Sequence, residues 1–455
     1  MKRHILIIAL AALAMGGRAQ TLTVDSCRTM ALQNNRQKQQ AALKTKQAEY
    51  TKKSTHALFF PDFSLSAAEI YDMDKGTLSF DMNAMAAPLL GTLAPILGSM
   101  GIPVEGLKLP NLDIDYKMGW MFTGGIVMKQ PIYMGGKIRS AYAISKTAVE
   151  IARQNERLTD AEVIMQTDEA YANVVKAEEM VEVAKRYREL LTELDKNVEN
   201  AVRHGLRHKS ERTKVQVKIN EADLQLLRAH NAVTLSKMNL CRLIGKSLSS
   251  DISLSHEYPM VADVNTLRQS DISLRPEVAM LDGQVEIAEQ QVKIARSAML
   301  PQLALMAKYG YTNGVKVNGR TFLDGWNFGG GVTLSVPLYH FGDKRNKTKA
   351  AQAKQQQLQL EREDKMELMM LELTRASQNV EEAKGEITLA QKSLEQAETN
   401  MQLSKQQYDA GFETLSDYLE TQALWQQAYE AQVDANFRLY LASITYLKAA
   451  GLLVP

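Results

Sequence analysis

Residues 119–136 read GWMFTGGIVMKQPIYMGG, and 206 positions later residues 325–342 read GWNFGGGVTLSVPLYHFG. Without a gap, Gly119-Trp120 falls on Gly325-Trp326, Gly124-Gly125 on Gly330-Gly331, Pro131 on Pro337, Tyr133 on Tyr339 and Gly136 on Gly342. The same shift carries Gly205 onto Gly411 and Gly245 onto Gly451. A shift of 240 relates Phe60-Pro61 to Leu300-Pro301, the difference being a longer insertion in the first half before Gly119. Chance does not keep such a register, so the chain is a tandem repeat of one long unit.

Inside these stretches the apolar residues alternate. Trp326, Phe328, Val332, Leu334 and Val336 are separated by small or polar residues, which is the period of a strand. Leu303, Leu305, Ala307, Tyr309 and Tyr311 alternate likewise, as do Phe63, Leu65, Ala67 and Tyr71, and Trp120, Phe122, Ile126 and Met128. Each run is about 10 to 12 residues, enough for a tilted strand to cross a membrane. Trp120, Tyr133, Trp326 and Tyr339 lie near strand ends, where aromatic girdles form at membrane interfaces. A soluble four-stranded sheet fits the alternation equally well; an export signal and the lack of a core to cover the second face favour a barrel. Four strands cannot close one, because the smallest membrane barrels use about eight. Three copies would supply twelve strands, with helical hairpins arranged in a ring beneath them.

The helices are read from punctuation. No Gly or Pro interrupts the chain from Lys137 to His204, and the matching stretch Asp343 to Ala410 has only Gly385. At 1.5 Å per residue each helix is roughly 100 Å long, so the protein is expected to be elongated. The second helix places Leu373, Val380, Ile387, Leu394, Met401 and Tyr408 at one heptad position and Ala376, Ala383, Ala390, Ala397 and Ser404 at the other. That is a coiled-coil seam for helix-on-helix packing. The first helix repeats it with Ala170, Val174, Ala177, Val181 and Ala184, then departs at Arg188 and Asp195, which either face each other or point into water. Gly205 and Gly411 suit the left-handed residue that ends a helix and turns the chain back.

The expected fold is therefore mainly α with a small β part. It comprises a signal peptide at 1–19 and a first repeat at 20–245, containing an insertion at 72–117 and a helical hairpin at 137–244. A mixed, polar linker at 246–275 leads to a second repeat at 276–455 with its hairpin at 343–450. Shorter helices, Asp25 to about Leu58 and Pro276 to Met299, precede the strand pairs. The signal peptide is read from Lys2 and Arg3, the apolar stretch Ile5 to Met15, and the small residues before Gln20. The insertion is apolar around Leu89, Leu90, Leu93, Ile96 and Leu97, so it is expected to be covered, by the barrel mouth, a neighbour or an external partner.

Composition excludes several function classes. Lys and Arg number 54 against 52 Asp and Glu, a net charge of +2, so the uncompensated basic patch of a nucleic-acid binder is missing. Cys27 and Cys241 have no paired His or Cys around them and read as structural thiols. His204 and His208 have i, i+4 spacing, but Gly205 breaks the helix that would align them on a metal. Gly329-Gly330-Gly331 lies inside a strand with no helix after it, unlike a phosphate-binding loop. No catalytic constellation is visible, and neither an enzyme, a cofactor nor a metal is expected.

One stretch carries a family resemblance. Tyr408-Asp409-Ala410-Gly411-Phe412-Glu413-Thr414-Leu415-Ser416-Asp417-Tyr418-Leu419-Glu420, with Gln422-Ala423 beyond it, resembles the periplasmic hairpin tip of the TolC family of outer membrane efflux proteins. The order of helix, strand pair and long hairpin, repeated once, matches over nearly the whole chain. The resemblance implies a homotrimer with a twelve-strand transmembrane β-barrel in the outer membrane of a Gram-negative bacterium, continuing into a helical tunnel across the periplasm. It implies a passive exit duct of a tripartite efflux or type I secretion system, working with a periplasmic adaptor (membrane fusion protein) and, through it, an inner membrane pump. On the same basis Gly205, Leu206, Gly411, Phe412 and Thr414 would meet the adaptor, and Asp417 and Glu420 would form the pore constriction. His204 and Ala410 stand where the family often has Val, and Glu420 where it often has Asp. The competing reading is a soluble periplasmic coiled-coil adaptor protein, which would need a lipoyl-like or barrel-like β domain.

Overall fold

The computed structural model describes residues 21–71, 75–99, 108–117, 120–255, 258, 272–318 and 320–453. The expected signal peptide, the middle of the 72–117 insertion and much of the 246–275 linker lie outside these. Two compact units can be told apart. The helical unit takes in the chain to Tyr50, Lys146–Ala288 and Lys354–Pro455; the sheet unit takes in Thr51–Ser145 and Glu289–Ala353.

The elements begin with α1 (Val24–Asn34), α2 (Arg36–Ala57), β1 (Asp62–Tyr71), β2 (Lys75–Phe80), α3 (Met82–Ser99), β3 (Leu112–Lys117) and β4 (Trp120–Met134). The first hairpin is α4 (Lys137–Arg203) with α5 (Lys209–Leu243). The second repeat follows as α6 (Pro276–Ser297), β5 (Gln302–Val317), β6 (Arg320–Ser335), α7 (Asp343–Asp409) and α8 (Leu415–Ala449). The hairpins obey the sequence shift to the residue: α4 and α7 both have 67 residues, and α5 and α8 both have 35. The ends of α2 and α6, and the starts of β1 and β5, are 240 apart, as are Phe60-Pro61 and Leu300-Pro301.

Each hairpin turns on a left-handed glycine, Gly205 at φ 71° and Gly411 at φ 80°. The residue after each closes the helix end: the Leu206 amide donates to Ala201 and the Phe412 amide to Gln407, the six-to-one bond of a Schellman turn. α5 and α8 end the same way at Gly245 and Gly451. The helix expected from Asp25 to Leu58 is broken at Asn35, whose extended backbone ends α1. The Asn35 side chain then accepts from the amide of Gln37, so this polar residue competes with continuous helix.

In the helical unit the seam of α7 packs on α8: Ala376 and Val380 are buried against Tyr446, Ala449 and Ala450. On α4, Ala170, Val174, Ala177 and Ala184 are buried as expected, while Val181 is only half-buried. The seam then continues through Tyr187, Leu191, Leu194 and Val198, so a step of three replaces the usual four after Ala184 and the stripe rotates. That rotation brings Arg188 and Asp195 to the edge. They neither face each other nor stand free: Arg188 pairs with Asp223 of α5, and Asp195 pairs with Arg212 of α5 at 3.4 Å.

A second core joins α1, the middle of α4 and the end of α5 through Cys27, Ala31, Val163, Tyr171, Leu240 and Cys241. Arg28 donates from Nε and Nη2 to both carboxylate oxygens of the fully buried Asp168, at 2.8 and 2.6 Å. The linker contributes here too, because Leu22 and Leu254 form a parallel bridge.

The sheet unit holds one antiparallel sheet in the order β1, β4, β5, β6. β2 and β3 pair with each other, and β3 also pairs with β5 through Tyr116 and Lys117. The sheet is therefore four strands wide, and the insertion 72–117 itself supplies the hairpin β2–β3 with α3 between its arms. Asp81 caps α3 by accepting from the amides of Asn83 and Ala84, and Asn83 exchanges two hydrogen bonds with Leu109 across the loop. Among the described residues no helix is long and apolar enough to cross a membrane.

The left-handed turn before each long helix uses Gly135 at φ 61° in the first repeat and Phe341 at φ 47° in the second. A Cβ at Gly135 would lie 2.7 Å from the Ser297 carbonyl oxygen, so Gly135→Phe should lower the unfolding midpoint; Phe341→Gly, which relieves about 1–2 kcal/mol of backbone strain, should not. Burial pushes the Cys27 thiol up to about 11 from an ordinary 9.0 and raises Cys241 as well. Iodoacetamide at pH 8 should leave both untouched until the chain unfolds. Because the folded state holds the Cys27 proton more tightly than the unfolded chain, this contribution to stability is complete below pH 9.0 and declines towards about 11.

Candidate functional site: the hairpin tips and the two-faced sheet

The tips lie within the helical unit and pack on one another. The Arg207 guanidinium of the first tip sits 4.8 Å from the ring centroid of Tyr408, the last seam residue before the second tip. Tyr408 in turn stacks on Tyr418 at 5.3 Å. Beneath them Leu191, Leu194, Val198, Val215 and Leu415 form a continuous core. Burial raises the phenols of Tyr408 and Tyr418. The tips are thus fixed to one another by a cation–π contact on a buried ring, worth about 1–2 kcal/mol, on top of an apolar base.

From this base the turn residues project outward. Leu206 is 78% exposed and Phe412 is 88% exposed, each directly after its left-handed glycine. Apart from their chain neighbours, neither Gly205 nor Gly411 has an atom within 4 Å of where a Cβ would be, so each leaves an open notch beside a protruding apolar side chain. Thr414 caps α8, accepting from the Asp417 amide at 3.3 Å while its hydroxyl donates to the Asp417 carboxylate at 2.7 Å. The first tip has no counterpart, because His208 occupies the cap position without a side-chain bond. Ser404 donates to Glu413 at 2.7 Å and pins the loop from below.

Asp417 and Glu420 are both exposed on one side of α8, while Tyr418 and Leu419 between them are buried. Their situations differ. Asp417 is held by the cap and favoured by the helix N-terminus, whereas Glu420 has no hydrogen bond or ion pair among the described residues. His204 and His208 do not converge: the His204 ring bonds back to the Asn200 carbonyl at 2.8 Å. Among the described residues no cluster of His, Cys, Asp or Glu could hold a metal.

The sheet unit has two unlike faces. The register aligns Leu65, Ile126, Tyr309 and Phe328 across all four strands, and one row on aligns Ala67, Gly124, Tyr311 and Trp326. Leu65 is 82% exposed and Phe328 is 76% exposed, so this apolar face is uncovered. The opposite face aligns Ser66, Gly125, Gly310 and Asn327, then Ala68, Thr123, Thr312 and Gly325. The aromatics expected near strand ends are exposed: Trp120, the first residue of β4, packs on Tyr71 at 4.8 Å, and Tyr339 meets Phe341 at 4.9 Å beyond β6, but Trp326 lies inside β6 rather than near its end, stacked on Tyr309 at 5.4 Å, because pairing with β5 runs on to Arg320. Tyr133 flanks the irregularity where β4 passes Pro131.

Sequence reasoning missed the Arg207–Tyr408 contact and the Arg28–Asp168 pair. The second joins residues 140 apart, and nothing local marks either partner.

Comparison with known proteins agrees with these features. The profile of the family described as "Outer membrane efflux protein" matches residues 28–246 and 267–452. The chain is 32% identical over 181 residues to the pyoverdine export outer membrane protein OpmQ of Pseudomonas aeruginosa, a match covering 40% of this chain and 37% of OpmQ. It is 22% identical over 344 residues to the alkaline protease secretion protein AprF of the same organism, covering 74% of this chain and 69% of AprF. Among solved structures, the outer membrane protein VceC of Vibrio cholerae superposes with a TM-score of 0.74 at 17% identity, covering 94% of this chain and 96% of VceC. The CmeC outer membrane channel of Campylobacter jejuni superposes at 0.71 with 20% identity, covering 95% and 86%. With the family profile spanning both repeats, the chain belongs to the outer membrane efflux protein family, whose channels sit in the outer membrane of Gram-negative bacteria.

Proposed function

We propose that three copies of this chain assemble into the passive outer-membrane exit duct of a tripartite efflux or type I secretion system. The observation that carries this reading is the sheet: one exposed apolar face, one face of small and polar residues, and two unpaired edges at β1 and β6. In hydrocarbon every edge amide and carbonyl must find a partner, so an open sheet with a lipid-type face is stable only when closed. Pairing β6 of one copy with β1 of the next, three times, closes twelve strands with the apolar face outward. The helical unit also points to association between copies, because Val217, Leu224 and Leu235 on α5 and Leu360, Leu371 and Leu389 on α7 are exposed where a neighbouring hairpin would cover them. An uncovered apolar sheet face argues against a soluble adaptor.

In this reading the notches at Gly205 and Gly411, with Leu206, Phe412 and Thr414, receive the tips of a periplasmic adaptor, which links the duct to an inner membrane pump. Asp417 and Glu420, repeated three times, place six carboxylates around the pore entrance. Like charges held together repel, attract cations and keep the constriction weakly closed. OpmQ is named for pyoverdine export and AprF for protease secretion, so one architecture serves cargo of very different size. Cargo choice is accordingly assigned to the pump.

Native mass measurement on detergent-extracted protein should give a trimer, and a monomer soluble in plain buffer would sink the proposal. Phe412→Ala, which touches no buried contact, should reduce export at least about tenfold with the trimer intact; Gly411→Trp should abolish it, with up to about 2 kcal/mol of added turn strain. Glu420→Gln should lower the cation preference of single-channel currents several-fold without changing stability. Asp417→Asn should in addition cost up to about 1 kcal/mol through the weakened helix start.

A further inference from the structure

The small-residue face of the sheet carries one long cationic side chain in its middle. The register sets Lys308 of β5 beside Val127 of β4 and Gly329 of β6. Its Nζ donates to Thr123 Oγ1 at 2.6 Å, the Thr123 and Thr312 hydroxyls lie 3.4 Å apart, and Asn327 Nδ2 donates to Thr312 Oγ1 at 3.0 Å. These four side chains form a polar belt across three neighbouring strands with a net charge of one positive unit. The floor around it is low, because Gly125 and Gly310 bring β4 and β5 so close that a Cβ on either would lie about 2.4 Å or less from backbone atoms of the other strand.

No carboxylate compensates Lys308. Among the described residues of this face between the row of Asp62 and that of Ile70, the other charges are Asp62 and Lys129, which stand opposite each other at one end of the β1–β4 pair and cancel. From there to the row of Ile70 and Met121, the described residues of this face include no Asp or Glu. A face meant for dry packing could not leave an ammonium without a counter-charge, whereas a wetted face can.

We infer that Lys308 forms an electropositive collar inside the barrel lumen that attracts anionic solutes, those bearing carboxylate or phosphate groups, and repels cations. The inference rests on the barrel reading above. Three copies set three ammonium groups in one ring. A twelve-strand barrel has a backbone radius of about 12 Å from strand spacing and tilt, and the Lys308 ammonium, laid along the wall onto Thr123, stands only about 4 Å inside it. The pore axis then lies within about one Debye length, ~8 Å, of each charge, so the collar acts across the whole cross-section.

The test uses Gly329→Cys, a position beside Lys308 where a Cβ meets nothing within 4 Å. The native thiols are fully buried and serve as silent controls. On the detergent-solubilised trimer, modification rates are measured with an anionic and with a cationic methanethiosulfonate, in Gly329→Cys and in Gly329→Cys with Lys308→Met. The collar predicts that the anionic-to-cationic rate ratio falls at least about fivefold when Lys308 is replaced. An unchanged ratio, with the thiol still reactive, overturns the collar and leaves the barrel standing. A thiol that reacts with neither reagent, while Phe328→Cys reacts with both, puts this face away from water and overturns the barrel reading together with the collar.

Discussion

Backbone hydrogen bonding at the sheet edges is the constraint on which the rest depends. β1 presents ten residues with only β4 beside them, and β6 presents sixteen with only β5 beside them. Soluble proteins blunt such edges with charge, proline or a covering element. Here the edges stay long, and the apolar face, with Leu65 82% and Phe328 76% exposed, stands open to water. The apolar face and the open edges demand the same remedy, neighbouring copies within lipid, and the small-residue face becomes a water-filled lining as a by-product.

The helical unit solves a different problem, holding a turn firmly at the end of a helix roughly 100 Å long. A helix of this length is stabilised along its seam, but its tip has neighbours on one side only. The Schellman closures, the Arg207–Tyr408–Tyr418 stack and the Thr414 cap all lie within a few residues of the two turns. They stiffen the base and leave Leu206 and Phe412 free to engage something else. The asymmetry between the tips, with a capped Thr414 on one and an uncapped His208 on the other, gives a partner two related but distinguishable sockets.

Much of this was legible in the chain because it is governed by local rules. Left-handed glycines, proline-free runs and alternation are read directly, and duplication let each half check the other. The break at Asn35 was hidden because its helix flanks are ordinary and only a side-chain bond to Gln37 decides it. The strands inside 72–117 were masked by the prolines and the apolar run of α3. The fates of Arg188 and Asp195 depended on a one-residue slip in the seam after Ala184, which rotates the stripe and hands both charges to partners on α5. The collar residue was passed over because a lysine in an alternating strand looks like any solvent-facing residue until the register shows which neighbours it lacks.

The equal lengths of the paired helices, 67 and 67, 35 and 35, limit how such a protein can change over time. Adding a single residue to one arm would swing its turn by about 100° and lift it by 1.5 Å relative to its sister. The two halves can therefore grow or shrink only in concert, in increments near a heptad. Two duplicated copies, free to diverge in almost every side chain, remain bound to a common ruler.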